Sequence, residues 1–282
     1  MPAHSAHLDD RGVLRVAGAD AATFLQGLLT NEVEKLSAGE ARFAALLSPQ
    51  GKILFYFFVL RAGAPTSAEF WLDCAADQAD ELIRRLGFYK LRAKLAIVDE
   101  RAAYGVVAFW DGAPPAAPGM RGFIDPRHAA LGFRAILPTD GVAAFFGGRS
   151  AYEAHRIGLG VPSGGADFTY GEAFPADVNM DLLHGVDFEK GCYVGQEVVA
   201  RMRHRAAIRK RILRVALSLP APSVGAPIVA GARGVGIMGS SAGAKGLAMF
   251  RLDRLAEAQA AGERLLVDGD ALVSVVTDAQ AP

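Results

Sequence analysis

The architecture this sequence predicts is an α+β chain closed by a small β-barrel. Three observations lead there. Up to residue 206, short apolar runs of strand length alternate with longer stretches that carry a one-sided apolar stripe. From Ile208 onward the segments become short and β-rich, divided by Pro and Gly; that spacing suits a small barrel or sandwich. With 282 residues, 51% of them hydrophobic, the chain is long enough for two or three domains with a sizeable core. The boundary is expected near Ala206–Arg209, separating residues 1–206 from 207–282.

The elements follow in order. Val13 to Val16 reads as a strand, and Asp20 as the N-cap of a helix striped by Phe24, Leu25, Leu28 and Leu29. Ala41 to Leu47 and Lys52 to Arg61 read as a hairpin across Ser48-Pro49-Gln50-Gly51. The second of these strands is nearly all apolar, so both of its faces should be buried. A strand at Glu69 to Asp73, a helix at Ala76 to Leu86, and strands at Lys94 to Asp99 and Gly105 to Trp110 come next, with Phe88 to Arg92 leading into the first of those two strands. Asp111 to Gly122 is an irregular loop rich in Pro and Gly. Strands near Phe123 and at Phe133 to Leu137, then helices near Gly141 to Phe146, at Tyr152 to Ile157 and at Asp177 to Leu183, complete the first part. Five strands are expected after it: Arg211 to Leu217, Val235 to Met238, Lys245 to Phe250, Arg264 to Val267 and Leu272 to Val276.

Charge and cysteine content bound the function. Thirty basic and thirty acidic residues give a net charge of +0, so no global field draws the chain to nucleic acid or membrane. No apolar run approaches the ~20 residues of a membrane helix. The first ten residues lack a basic and an apolar region, and their two Asp make a poor transit peptide. Cys74 and Cys192 form no disulfide or metal spacing, so a reducing cytoplasm is expected. The six His are scattered, without metal spacing.

The stretch densest in chemistry is Glu189-Lys190-Gly191-Cys192-Tyr193-Val194-Gly195-Gln196-Glu197. Two glycines bracket Cys192, Lys190 lies two residues from it, and a helix is expected after Gly195. A nearby cation and a helix N-terminus both favour a thiolate. A cysteine can also be a small buried hydrophobe without chemistry. A basic cluster from Arg201 to Arg214 reads either as an anion site or as a solvated helix face, and no aromatic residues interleave it.

Lys190-Gly-Cys-Tyr-Val-Gly-Gln-Glu197, followed by Val199-Ala-Arg201, resembles the motif of the YgfZ family. Those are tetrahydrofolate-binding proteins that assist iron–sulfur enzymes and resemble the glycine-cleavage T-protein, an aminomethyltransferase. Val16 to Asn31, Pro49 to Lys52, Tyr89 to Arg92 and Arg156 to Pro162 look like further blocks of the family, so the resemblance covers nearly the whole chain. It implies interlocked ferredoxin-like folate domains with a C-terminal barrel, and folate in a central channel. It makes Tyr152 the stacking candidate for the pterin, with a core Tyr packing the 152–157 helix as the alternative. Arg156, Tyr193, Gln196, Glu197, Asn31 and Lys52 are further candidate folate contacts, with Arg11, Asn31, Lys52 and Gln196 the weaker ones. The acidic pair of T-proteins is replaced here by Phe55-Tyr56, and Gly158 stands where those proteins hold the pterin with a Glu. Without those carboxylates, aminomethyl transfer lacks its charge-stabilising groups.

The expected function is therefore a tetrahydrofolate-dependent accessory protein for assembly or repair of iron–sulfur clusters. Cys192 and Lys190 are its reactive pair, and its partners are client enzymes or assembly factors. Two alternatives stand beside it: a folate-dependent one-carbon transferase acting on a small molecule or tRNA, and a non-catalytic folate-sensing module.

Overall fold

Period-two apolar patterning becomes strand where turn residues bound it. The computed structural model describes residues 3–63, 68–145, 148–204, 208–218, 222–269 and 271–276. Its first elements are β1 (His4–His7), β2 (Arg11–Ala17), α1 (Ala21–Leu28), β3 (Ala41–Leu47), β4 (Ile53–Ala62), β5 (Glu69–Ala75), α2 (Ala79–Lys90), β6 (Ala96–Asp99), β7 (Tyr104–Trp110), β8 (Arg121–Ile124), β9 (Phe133–Pro138), α3 (Thr139–Val142) and α4 (Arg149–Gly158). They make a five-stranded sheet in the order β3-β4-β5-β2-β6 and a four-stranded sheet in the order β1-β7-β9-β8. All their pairings are antiparallel. β4 is buried along most of its length, as its unbroken apolar run requires. On the larger sheet Leu14, Phe57, Phe70 and Leu72 share a core with Leu25 of α1 and Leu82 and Leu86 of α2.

The later elements are α5 (Gln196–His204), β10 (Lys210–Leu217), β11 (Pro227–Ala230), β12 (Arg233–Ala242), β13 (Lys245–Arg251), α6 (Leu252–Ala260), β14 (Leu265–Val267) and β15 (Ala271–Val275). The six strands close into a barrel in the order β10-β13-β12-β11-β14-β15, around a core that includes Val215, Ile228, Val235 and Phe250. The expected α+β fold with a terminal barrel is the fold observed.

Contacts divide the chain into two units that do not follow sequence order. One is Met1–Tyr152 with His184–Gln196; the other is Glu153–Leu183 with Glu197–Pro282. The expected boundary at 206/207 falls on residues outside the described ones.

Some local expectations need correction. Phe88 to Lys90 belong to α2, because the apolar stripe of Leu82 and Leu86 continues through Tyr89. The helix expected at Asp177 to Leu183 is a single 3-10 turn, Pro175–Val178, ended by Asn179 in the left-handed region. α6 was not expected: its stripe is reduced to Leu255 and Ala258 among alanines.

The two sheets of the first unit are tied by buried charge. Asp73 of β5 accepts from Arg11 Nε at 2.6 Å and from Arg134 Nη2 of β9 at 2.6 Å. Arg134 and Arg127 both donate to the Tyr152 hydroxyl, and Arg127 pairs with Asp125 at 2.7 Å. Aromatic rings roof this network, with Phe58 under both Arg127 and Arg134. No sequence pattern announced it.

Candidate functional site

The Cys192 loop is built onto the end of α1. Thr30 and Asn31 follow that helix, and their side chains reach the segment that enters the loop. Thr30 Oγ1 donates to Gly185 O and accepts from Ala45 N. Asn31 Nδ2 donates to His184 O and to Phe43 O. Asp187 N donates to Thr30 O, while its carboxylate accepts from the amides of Glu189 and Lys190. This is the local turn that Asp favours outside helices.

Lys190 then turns inward and is 6% exposed. Its ammonium donates to Gln26 O, Leu29 O and Asn31 O at 2.8, 2.5 and 2.9 Å. A helix end leaves its last carbonyls unpaired and partially negative, and a buried cation satisfies both needs. The Tyr193 ring lies 5.3 Å from the same nitrogen. Burial pushes Lys190 down to about 8, against the pull of Glu32, Asp187 and Glu34. An ammonium has three hydrogens, and here three carbonyls take them. The expected pairing of Lys190 with the thiol is corrected accordingly: Lys190 fixes the loop.

Gly195 closes the loop at φ +82, where an added Cβ would stand 2.6 Å from Ser48 O in the turn between β3 and β4. Gly195→Ala should therefore cost about 1–3 kcal/mol of stability. A melting temperature equal to the parent's would show that the turn yields freely. α5 starts at Gln196, whose Oε1 accepts from Tyr193 N. Cys192 thus sits on a pinned loop ahead of a helix, and it is exposed. Cys74 contrasts with it: 2% exposed, its thiol pushed up to about 12 by burial.

The other expected contacts are placed differently. Tyr152 is 4% exposed inside the arginine network, so its ring offers no free face to a pterin. Its expected stacking role is corrected to a packing one. Arg156 is buried, held by Asp167 at 3.0 Å and by Glu153. Asn31 spends its amide on backbone carbonyls. Tyr193 is buried at 8%, Lys52 and Gln196 are half-buried, and Glu197 is exposed. Arg11 is committed to Asp73. Phe55 and Tyr56 are buried in β4 at 5% each. In the second unit a cleft of about 350 Å³, lined by Asp167, Phe168, Met238 and Met249 among others, contains Lys210 of the basic cluster and none of the expected folate contacts. In the basic cluster, Arg211 is paired with Asp181 and Arg214 donates to Gly158 O, while Arg201 and Arg203 are exposed. Of the residues named for tetrahydrofolate, Tyr152, Arg156, Asn31 and Arg11 have their polar groups engaged by protein groups.

Thr30 and Asp187 were missed as loop builders. Asp187, three residues before Lys190, was a readable turn signal; the reach of Thr30 across 155 residues was not.

Comparison with known proteins gives the lineage. Residues 209–282 match the CAF17 C-terminal β-barrel domain. The glycine-cleavage aminomethyltransferase T of Bartonella henselae has the same fold, with a TM-score of 0.77 over 99% of this chain and 86% of that one at 15% identity. The human mitochondrial iron–sulfur cluster assembly factor IBA57 is 35% identical over 77% of this chain and 67% of its own length. The mouse protein is 32% identical over 88% of this chain and 77% of its own. The Mycosarcoma maydis homologue is 34% identical over 76% of this chain, which spans only 57% of that longer protein. These relatives are mitochondrial by name, which overturns the expectation of a cytoplasmic protein: two free cysteines speak for a reducing compartment and carry no address. By identity and coverage with the human and mouse proteins, the chain belongs to the family of IBA57 iron–sulfur cluster assembly factors.

Proposed function

We propose that this chain assists the assembly of iron–sulfur clusters in client enzymes, with the Cys192 thiol as the group that meets the cargo. The observation that carries this reading is a cysteine exposed on a loop bolted at Thr30, Asn31, Asp187, Lys190 and Gly195, in a chain whose relatives are assembly factors. A rigid backbone presents a thiol at low entropic cost. One thiolate supplies one of the several ligands an iron–sulfur cluster takes, so the remaining ligands belong to a partner protein. Aminomethyl transfer is not part of the proposal, since Phe55-Tyr56 replaces the acidic pair. Reduced folate remains the proposed small ligand on the strength of the sequence motif alone, and no step is routed through it.

Iodoacetamide labelling of the native protein, with the modified residue located by mass spectrometry, tests the thiol. Cys192 should react first and Cys74 slowly, because the buried thiol is held protonated to about 12. Cys192→Ser should then fail to restore a client enzyme in cells lacking the protein. Full restoration by the serine variant would remove Cys192 from the function. Titration with tetrahydrofolate tests the ligand separately: no saturable fluorescence change at millimolar concentration would exclude it.

A further inference from the structure

At the end of α2 the chain does something its core does not require. Phe88 is 75% exposed and Leu91 88%. Leu91 follows the helix at φ 44 and ψ −109, a conformation natural to glycine and strained for leucine. Neither burial nor backbone preference selects a leucine there. The turn is nonetheless firmly held. The Asp20 carboxylate accepts from Lys94 N at 2.7 Å, and Ala93 N donates to Lys90 O at 2.8 Å. Lys94 O lies so close to Gly18 that a Cβ there would meet it at 2.3 Å. Tyr89 and Ala93 pack inward against the core of the larger sheet. Phe88 and Leu91 are thus presented outward by a fixed turn.

Charge surrounds them. Residues 82–98 include Arg84, Arg85, Lys90, Arg92 and Lys94 and no acid, in a chain of net charge +0. Glu81 pairs with Arg84 and Arg85. Among the described residues no carboxylate pairs with the side chains of Lys90, Arg92 or Lys94.

We propose that this knuckle docks an acidic protein partner, whose apolar socket receives Phe88 and Leu91 while its carboxylates meet Lys90, Arg92 and Lys94. An apolar centre with a charged rim is the usual anatomy of a protein interface. An anionic lipid surface would see the same charges, but two apolar side chains and three unpaired cations fall short of the two strong signals that stable membrane anchoring takes. The proposal rests on the assembly reading only in expecting the partner among iron–sulfur assembly proteins.

The test begins with benzoylphenylalanine at position 88 of the full chain, photolysed in cells of the source organism, and continues with the purified pair. The cross-link should fall on a carboxylate-rich segment of one protein. Leu91→Glu, and Arg92→Glu with Lys94→Glu, should weaken the purified pair by about tenfold or more. Affinity should fall as salt rises. Ile124→Glu, an equally open site at 72% exposure on β8, should change nothing. Leu91→Gly separates docking from folding: it should weaken binding without lowering the melting temperature, because glycine relieves the φ 44 strain. Cross-linking to lipid or nucleic acid, no protein cross-link, or unchanged affinity in Leu91→Glu would overturn the proposal. An acidic partner outside iron–sulfur assembly, still sensitive to Leu91→Glu, would uphold the docking site and count against the assembly reading instead.

Discussion

Asp73→Ala should lower the stability of the protein by about 3–5 kcal/mol, the cost of leaving buried charge without its counterion. The carboxylate is 0% exposed and receives Arg11 and Arg134, both almost fully buried. Removing it leaves Arg11, over the Tyr56 ring, with only the backbone carbonyl of residue 73, and Arg134, over the Phe58 ring, with Asp125 at 3.9 Å and the Tyr152 hydroxyl. The expected fall in melting temperature is about 6 °C or more for a chain of this size. The pH dependence has a definite sign. Burial alone would push the Asp73 carboxyl up, but Arg11 and Arg134 outweigh it and hold the group below its ordinary range. A carboxyl depressed in the folded state contributes stability above its unfolded pKa of about 3.9, and that contribution is lost as pH falls through the folded value. Asp73→Asn keeps the shape and lacks this acid limb. Urea melts of parent and Asn variant from pH 3 to 7 should converge at the acid end; a constant gap would show that charge is not what the site contributes.

The contrast between Asp73 and Cys192 says what a sequence exposes. Cys192, Lys190 and Gly195 fall within six residues, so their chemistry is local and readable. β3 and β4 were readable for the same reason: both strands and their turn are contiguous, and β3 has the expected bounds. The barrel was legible through its rhythm of short strands. Asp73 looked like one more polar residue closing a strand. Its partners Arg11 and Arg134 stand 62 and 61 residues away, and only sheet pairing brings them together. Tyr152 failed for a related reason: an aromatic at the right place in a motif says nothing about which side of a helix the arginines occupy. Lys190 was found but given the wrong task, because the three carbonyls that hold it lie about 160 residues earlier.

Lys190→Met provides the sharpest separation of loop from thiol. Three hydrogen bonds from a charged donor contribute about 1.5–3 kcal/mol each. Burial of the ammonium, which lowers Lys190 to about 8, offsets part of that. The variant should lose about 2–4 kcal/mol, because Gln26 O, Leu29 O and Asn31 O are left without their donor. The pH signature has the same sign as that of Asp73 but lies in the alkaline range. A lysine whose folded pKa lies below its unfolded value binds fewer protons when folded between about pH 8 and 10, so its own contribution makes stability rise with pH across that window. The Met variant lacks that rise, and the gap between the two proteins should widen from pH 8 to 10. At pH 7 the released loop should become the first site of proteolytic nicking, between Asp187 and Gly195, while the barrel core around Phe250 stays protected. The thiol itself keeps its identity in this variant. If Lys190→Met leaves the loop uncut and client activation intact, the three carbonyl contacts are incidental, and Cys192 is positioned by Asp187 and Gly195 alone.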